Sequence, residues 1–283
     1  TAKCMGELDL VAIEQAITDN KFELVTGSKS TAQLRIIETP EGKIMHKRYA
    51  PRPVYSAEAI AKYAKFQEMV HSMAGPRYIH KVSLEEEVAK EVKTLRLWNE
   101  SLIPSPKILH YDGALTMIME CLEGRPAKDY LIESDNHRMF DKVLNLYHQI
   151  RDEAYARNDK DFLHSDPYPD NFFFDTNKNE MVALDPSKFV SPEMTVKEAD
   201  TAMNLLFLPK LFLLPIPAER TKKYVEQFVD RFTNQERMHL AEANFDAVEQ
   251  REYFATQGLK PGNILDIYFR TDVRDVIQAA LTK

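Results

Sequence analysis

The sequence predicts an α+β fold with two lobes: a small antiparallel β lobe with one key helix, and a larger, mainly helical lobe. Residues 22–49 contain short strand-like runs separated by turn residues, which is typical of an antiparallel meander. After residue 127 most apolar residues recur at helical spacing. A chain of 283 residues is long enough for two such lobes. We therefore predict an N-terminal lobe over 1–121, a hinge over 122–126 and a C-terminal lobe over 127–283.

Composition excludes several classes of protein. The net charge is −7 and the basic residues are scattered, so we expect no DNA partner. The longest apolar run, residues 205–217, contains Lys210 and three prolines and is too short for a transmembrane segment, so we predict buried core. No signal sequence is recognisable at the start, and Cys4 and Cys121 lack the spacing of a zinc site or disulfide framework. The expected location is cytoplasmic.

Five strands are predicted in the first lobe. The first three form a meander in which "TPEG" is the second turn, and "DGA" joins the last two. The predicted strands are Phe22–Val25, Ala32–Glu38, Lys43–Tyr49, Lys107–Tyr111 and Thr116–Cys121. The first connection, "TGSKST", is small and polar, so its backbone could approach a ligand closely.

One helix is inserted between the third and fourth strands. It begins near Val82, Ser83 is its predicted cap, and its apolar residues are spaced four, four and three apart. Beyond the hinge, a helical stripe runs from Phe140 to Ile150, and further helices are predicted over 197–213, 218–232, 236–257 and 263–281. The exception is a hairpin, "FFFD" and "MVALD" joined by "TNKNE", in which each strand ends on an Asp.

The loop "HSDPYPDN" before this hairpin contains the main candidates for catalysis. Asp166 and Asn171 stand in the pattern H-x-D-x-x-x-x-N, and Asp185 ends the second strand of the hairpin. Pro167 and Pro169 fix backbone angles and restrict the residues before them, so the loop is stiff before any ligand arrives. A stiff loop suits a reaction that depends on positioning.

Transfer of a phosphoryl group from ATP needs positioning and charge neutralisation, and the chain has a candidate for each part in the required order. Lys47 on the third strand could hold phosphate, with Arg48 and Lys43 as alternatives. Glu91 on the inserted helix could orient that lysine, with Glu87 one turn earlier as the alternative.

These motifs together resemble the protein-kinase-like superfamily, in its atypical branches. "HSDPYPDN" is similar to the catalytic loop, "ALDPS" stands where the family has its metal-binding Asp, and "EVKTLRLWNESLIPSPKIL" resembles a passage of aminoglycoside phosphotransferases and RIO kinases. The resemblance implies that ATP lies near the hinge and that a catalytic Asp, two magnesium ligands and a phosphate-binding set surround it. The implied residues are Asp166 as catalytic; Asn171 and Asp185 for magnesium; and Lys47, Glu91, Gly27, Ser28, Ser30, Glu120 and Leu122 for ATP. It also implies a structural role for His164 and makes Asp200 the counterpart of a structural Asp on a lobe helix.

Several features depart from the family pattern. The phosphate loop has one glycine, which is RIO-like, and Asp185 is followed by Pro186 and Ser187 rather than Phe and Gly. No A-P-E motif is visible, which argues against a conventional protein kinase. The long insertion over 50–81 could bind a macromolecular partner.

The predicted function is transfer of the γ-phosphate of ATP, with magnesium, to a hydroxyl of a small molecule or sugar. The alternatives are a RIO-like atypical serine/threonine protein kinase or ATPase, and a catalytically inactive pseudokinase that only binds. A third alternative is a metal hydrolase that uses His164, Asp166, Asp170 and Asp185 as ligands. The identity of the acceptor does not follow from the sequence.

Overall fold

The computed structural model describes five stretches of the chain, residues 8–25, 32–49, 83–186, 193–244 and 270–283. Three residues predicted to bind phosphate, Gly27, Ser28 and Ser30, lie outside these stretches, as does the predicted insertion over 50–81. Parts of the last two predicted helices, 236–257 and 263–281, also lie outside them.

The first lobe is built on a five-stranded antiparallel sheet with the order β1-β2-β3-β5-β4. All five predicted strands are present, with ends that differ by at most one residue. Their bounds are β1 Glu23–Leu24, β2 Ala32–Thr39, β3 Gly42–Tyr49, β4 Ile108–Tyr111 and β5 Thr116–Glu120. Strand β3 lies between β2 and β5, so both of its edges are paired.

The side chains of β3 divide between the two faces of the sheet because successive residues of a strand point to opposite sides. Ile44 joins a small apolar cluster on the outer face, where helix α1 (Leu10–Thr18) contributes Ile13. Met45 and Tyr49 join the large core on the inner face. Lys47 has the same phase as these two residues, so it points inward. Helix α1 was not predicted from the sequence.

Helix α2 (Leu84–Glu100) is the inserted helix, and it has the predicted cap. The Ser83 side chain accepts from Glu86 N and the Glu86 side chain accepts from Ser83 N, which is a capping box. Its buried stripe includes Val88, Glu91 and Trp98, so Glu91 lies on the side of the helix that faces the core.

A second, three-stranded antiparallel sheet opens the other lobe, with β6 (Gly124–Pro126), β7 (Phe172–Asp175) and β8 (Glu180–Ala183) in that order. Strands β7 and β8 form the predicted hairpin, but β8 ends at Ala183, so Asp185 follows the strand instead of ending it. Residues 124–126 of the predicted hinge form strand β6. Gly124 has φ 143°, and a Cβ there would lie 2.0 Å from the Phe174 carbonyl oxygen, so only glycine fits.

The rest of this lobe is helical, as predicted. Its helices are α3 Ala127–Glu133, α4 His137–Arg157, α5 Val196–Lys210, α6 Ala218–Val229, α7 over residues 234–244, and α8 Thr271–Leu281. Four aromatic residues of α4, α5 and α6 pack together at its centre, Phe140, Tyr147, Phe207 and Phe228. The apolar run over 205–217 is largely buried at the end of α5, as expected.

The predicted fold class is confirmed: a small antiparallel β lobe with one inserted helix precedes a larger helical lobe that contains one short sheet. Within the described stretches, no helix combines the length and apolar character needed to cross a bilayer.

Candidate active site

Lys47 and Glu91 form an ion pair between strand β3 and helix α2. The Nζ of Lys47 lies 2.8 Å from Oε1 of Glu91, and the two side chains are 6% and 2% exposed. Of the sequence alternatives, Arg48 points to the opposite face of the strand and is exposed, and Lys43 is exposed at the strand's start. Glu87 lies one turn before the ion pair and is only partly buried. The structure therefore brings together Lys47 and Glu91.

Tyr49 is a third member of this cluster that sequence reasoning missed. Its hydroxyl donates to Oε2 of Glu91, while Nζ of Lys47 lies 5.0 Å from the centre of its ring. The available signal was its position two residues after Lys47, on the same face of the strand. Both oxygens of the buried Glu91 carboxylate therefore have a donor.

The charges of the cluster are set by burial and by one another. Burial lowers the pKa of Lys47, but Asp185 and Glu91 outweigh it and raise that pKa well above its ordinary value. Burial and the Glu91 carboxylate raise the pKa of Tyr49. Lys47 is thus a cation and Tyr49 a protonated donor at neutral pH. Burial raises the pKa of Glu91, and the Lys47 ammonium offsets part of this rise.

Asp185 is the second carboxylate on Lys47. It follows strand β8, its Oδ1 forms an ion pair with Nζ of Lys47, and its side chain is 37% exposed. Burial raises the pKa of Asp185, but the nearby Lys47 ammonium lowers it by more than burial raises it. The pKa of Asp185 is therefore below its ordinary value. Asp185 is ionised and remains accessible to a ligand.

The backbone of Asp185 is in an unusual conformation. Its φ is 51°, in the left-handed region, although the next residue is Pro186, and a proline disfavours helical angles before it. Such conformations persist where the surrounding structure holds them, and they cluster at functional sites. Here Leu184 N donates to the Asn171 carbonyl at 2.8 Å, which ties Asp185 to the predicted catalytic loop, residues 164–171.

Asp166 and Asn171 lie in that loop, and Asn171 holds it in shape. The Asn171 side-chain amide donates to the Asp166 carbonyl at 2.7 Å. This leaves the Asn171 side-chain oxygen as an acceptor for a cation. A 3-10 turn over Pro169–Asn171 leads directly into strand β7. The prolines and this hydrogen bond fix the loop on the edge of the hairpin.

His164 has a structural environment. It is 1% exposed and packs against the rings of Trp98 and Phe172, with centroids 5.5 Å and 5.1 Å away. Its Nδ1 accepts from the Asp166 backbone N at 3.3 Å. Burial lowers the pKa of His164 to about 4, so the ring is neutral at neutral pH. Its position supports the loop from behind.

Lys210 also lies at the site, although it was not among the predicted site residues. It ends helix α5, and its Nζ forms an ion pair with Oδ1 of Asp166. The signal was present in the sequence, since Lys210 is the one charged residue in the apolar run over 205–217. Nothing in the local pattern indicates which carboxylate it reaches.

A cavity of about 120 Å³ opens between the two lobes. Lys47, Glu91 and Asp185 lie at its polar end. Its other walls are mostly apolar, and the predicted ATP residues Glu120 and Leu122 line it as well. The carboxylate of Glu120 also pairs with Lys178, 2.7 Å away in the turn between β7 and β8, and so links the two lobes at this edge.

Helix α2 is attached to the chain segment that leads into the catalytic loop. The carboxylate of Asp161 lies 3.1 Å from Nζ of Lys90 and 2.9 Å from Nζ of Lys93. Thr94 donates to the Asp161 carbonyl at 3.2 Å. Glu91 and the catalytic loop are thus connected through a short, polar contact.

Asp200, predicted as a structural residue, does lie buried on a helix of the larger lobe. Its carboxylate forms a bidentate ion pair with Arg151 of helix α4, at 2.6 Å and 2.7 Å. Tyr155 donates to the same carboxylate at 3.0 Å. Asp200 therefore joins helices α4 and α5.

No protein-family model and no curated protein matches the sequence. Among solved structures, the chain is similar to the Rio2 kinase–ADP/Mg²⁺–phosphoaspartate complex from Chaetomium thermophilum, with 13% identity and a TM-score of 0.41 over 96% of this chain and 74% of that one. It is also similar to the Mycobacterium tuberculosis PknI kinase domain, with 11% identity and a TM-score of 0.38 over 90% and 95% of the two chains.

The chain's own geometry defines the class of its fold. A lysine of the third strand pairs with a glutamate of the inserted helix, and an H-x-D-x-x-x-x-N loop follows in the helical lobe. An Asp two residues after the next hairpin lies beside that lysine. This combination is protein-kinase-like. The structure thus brings together the residues on which the predicted resemblance to this superfamily rests.

Proposed function

We propose that the chain is an ATP- and magnesium-dependent phosphotransferase that moves the γ-phosphate to a hydroxyl group of a small molecule or sugar. The observation that carries this proposal is the contact of Lys47 with both Glu91 and Asp185, which joins strand β3, helix α2 and the β7–β8 hairpin in one cluster. Burying a lysine between two carboxylates costs desolvation free energy, so a contribution to stability alone does not explain this cluster. It suits a site that must hold phosphate and metal together.

The residues present fit a magnesium nucleotide. Magnesium in such sites takes one or two protein oxygen ligands and completes its shell with phosphate and water. Asp185 offers an ionised, accessible carboxylate and Asn171 offers its side-chain oxygen, so these two residues would hold the metal. MgATP, when bound, supplies the phosphoryl group and the charge that activates it.

The remaining residues would position the reactants. Lys47 would hold phosphate oxygens, and Glu91 and Tyr49 keep its ammonium group in place. Asp166 would orient the acceptor hydroxyl and accept its proton. The apolar cavity beside Glu120 and Leu122 would take the base. At about 120 Å³ this cavity is smaller than the roughly 300 Å³ of ordinary ligand sites, so the phosphates would extend beyond it toward Asp166.

A thermal-shift titration with ATP, with and without magnesium, tests the proposal. A ligand that binds only the folded state raises the melting temperature by mass action. We expect a magnesium-dependent rise for the wild type and its loss in Asp185→Ala. Asp170→Ala is the matched control, because Asp170 lies beside Asn171 in the loop before β7 but pairs with Lys128 instead of Lys47. No shift for the wild type at millimolar ATP would reject the proposal.

The acceptor can be assigned with radiolabelled ATP. Transfer of label to members of a panel of sugars and amino sugars would support a small-molecule acceptor, for which the helices after Asp185 offer a surface. Transfer only to protein would favour the RIO-like alternative suggested by the glycine-poor loop. Nucleotide binding without release of ADP would identify a pseudokinase.

The metal-hydrolase alternative is disfavoured by the surroundings of His164. Its Nδ1 accepts a backbone hydrogen bond and its ring is enclosed by Trp98 and Phe172. In the part of the chain that the structure describes, no three His, Cys, Asp or Glu side chains are grouped to hold a metal ion.

A further inference from the structure

Lys210 occupies an unusual place for a lysine. It is the last residue of helix α5, and its neighbours Leu208, Pro209 and Leu211 are buried. Its own side chain is 12% exposed. A lysine in an apolar segment normally extends its ammonium group to water. Here the ammonium group is directed inward to the catalytic loop.

The partner of Lys210 is the carboxylate proposed to take the acceptor's proton. Nζ forms an ion pair with Oδ1 of Asp166 and lies 5.9 Å from the centre of the Tyr168 ring. Because Asn171 fixes the backbone of Asp166 and Lys210 fixes its carboxylate, both ends of this residue are held. The two contacts come from different parts of the chain.

A second lysine on the same loop provides a comparison. Lys128, in the first turn of α3, pairs with Asp170 at 2.9 Å, and its Nζ lies 6.0 Å from the ring of Tyr168. These two side chains are 31% and 39% exposed, so the pair is a surface contact. Surface pairs of this kind contribute little to stability. The two lysines flank one tyrosine, but only Lys210 is largely withdrawn from water and reaches Asp166.

We propose that Lys210 is a positioning residue for phosphoryl transfer: it aims the Asp166 carboxylate and places a fixed positive charge where the transferring group gains negative charge. This inference rests on the proposed function. In the step, the acceptor oxygen bonds to the γ-phosphorus as the bond to the bridging oxygen of ADP breaks. ADP leaves with the electron pair, and the acceptor's proton passes to Asp166. Lys210 takes no part in this proton transfer.

The physical basis is electrostatic preorganisation. A charge that is already in place needs no rearrangement when the reaction occurs, and it acts more strongly where water is partly excluded. Lys210 meets both conditions, because its stem is packed in the apolar run and its ammonium group touches the loop. A loss of its charge should therefore slow turnover without weakening nucleotide binding, which depends on Lys47 and Asp185.

The test compares ADP release from MgATP, with water as acceptor, in wild type, Lys210→Met, Lys210→Arg and Lys128→Met. We expect Lys210→Met to lower kcat about tenfold or more with an unchanged KM for ATP and an unchanged thermal shift with MgATP. Lys210→Arg should recover part of the rate, because it keeps the charge. Lys128→Met should retain the wild-type kcat.

A double-mutant comparison separates positioning from a general structural effect. If Lys210 acts through Asp166, Lys210→Met should cause no further loss of kcat in an Asp166→Asn background. If Lys210→Met does not fold, Lys210→Gln takes its place, since it can still hydrogen bond to Asp166 but has no charge.

The thermal shift and kcat together distinguish an error in the role of Lys210 from an error in the proposed function. A wild-type protein that shows no magnesium-dependent shift with ATP would overturn both. A normal shift with equal kcat in wild type and Lys210→Met would overturn the role of Lys210 alone. Losses from Lys210→Met and Asp166→Asn that simply multiplied would overturn its action through Asp166.

Discussion

Trp98 of helix α2 donates its indole N–H to the carbonyl oxygen of Phe162, 2.8 Å away, two residues before His164. The indole is fully buried, and its ring also packs against His164. The helix that supplies Glu91 is therefore fastened to the start of the catalytic loop through a hydrogen bond inside the core. This contact makes the two halves of the candidate site parts of one packed unit.

Trp98→Phe should destabilise the protein, because the buried Phe162 carbonyl loses its donor. We expect a loss of about 1–3 kcal/mol in the free energy of unfolding, measured by urea denaturation. The double variant Trp98→Phe with Thr94→Val is compared with each single variant. Because Thr94 donates to the neighbouring Asp161 carbonyl, the two losses should not be additive. An unchanged stability of Trp98→Phe would show that the hydrogen bond contributes nothing.

Glu91→Gln should reduce ADP release from MgATP about tenfold or more, because Lys47 loses the carboxylate that orients it. It should also lower the free energy of unfolding by about 1–3 kcal/mol, since a buried charge-assisted hydrogen bond is weakened. Steady-state kinetics and urea denaturation measure the two effects. Glu87→Gln, the sequence alternative, is the control and should match the wild type in rate. A fall in rate for Glu87→Gln instead would reverse the assignment.

Asp200→Asn should be among the most destabilising substitutions of the helical lobe. Asp200 and Arg151 are 5% and 6% exposed and form two hydrogen bonds with each other. Removing one charge of such a pair leaves the other buried, which costs about 3–5 kcal/mol. Thermal and urea denaturation should show this loss. The exposed pair Arg157 and Glu153 is the comparison, and Glu153→Gln should cost less than about 0.5 kcal/mol.

His148 should make stability depend on pH. Burial lowers its pKa to about 4 in the folded state, and the positive charges of Arg151 and Arg231 add to the shift, while Glu236 opposes it. The unfolded chain has the ordinary histidine pKa of about 6.5, so it binds the proton more readily. The contribution of neutral His148 is therefore complete above about pH 6.5 and is lost as the pH falls toward 4.

The measurement for this prediction is urea denaturation of wild type and His148→Gln between neutral pH and pH 4. Glutamine can still accept the Arg151 hydrogen bond, which His148 Nδ1 accepts at 2.9 Å. The stability of the wild type should fall relative to the variant as the pH is lowered. Parallel pH profiles for the two proteins would contradict it.

Features governed by local spacing could be predicted from the sequence. The cap of α2 at Ser83, its buried stripe and the β7–β8 hairpin all follow from residues within a few positions of one another. Strand phase also places Lys47 on the inner face. Most of the predicted site could be found in this way, because the lysine, the glutamate and the H-x-D-x-x-x-x-N loop are each recognisable from short stretches of sequence.

Contacts between distant segments could not be predicted in this way. Strand β6 exists because Arg125 pairs with Phe174, far along the chain, so residues 124–126 alone look like a linker. The ion pair of Lys210 with Asp166 likewise depends on how helix α5 packs. Helix α1 is only nine residues long, and so short a helix is stabilised mainly by packing against the sheet.

The attachment of helix α2 to Asp161 and Phe162 has a mechanical consequence. Chain order assigns α2 to the β lobe, and its Glu91 hydrogen-bonds to Lys47 and Tyr49 of strand β3. Its Lys90, Thr94 and Trp98 instead hydrogen-bond to the helical lobe, at Asp161 and Phe162. A displacement of the sheet relative to α2 would therefore break the Lys47–Glu91 pair, whereas the hydrogen bonds of α2 to Asp161 and Phe162 would remain.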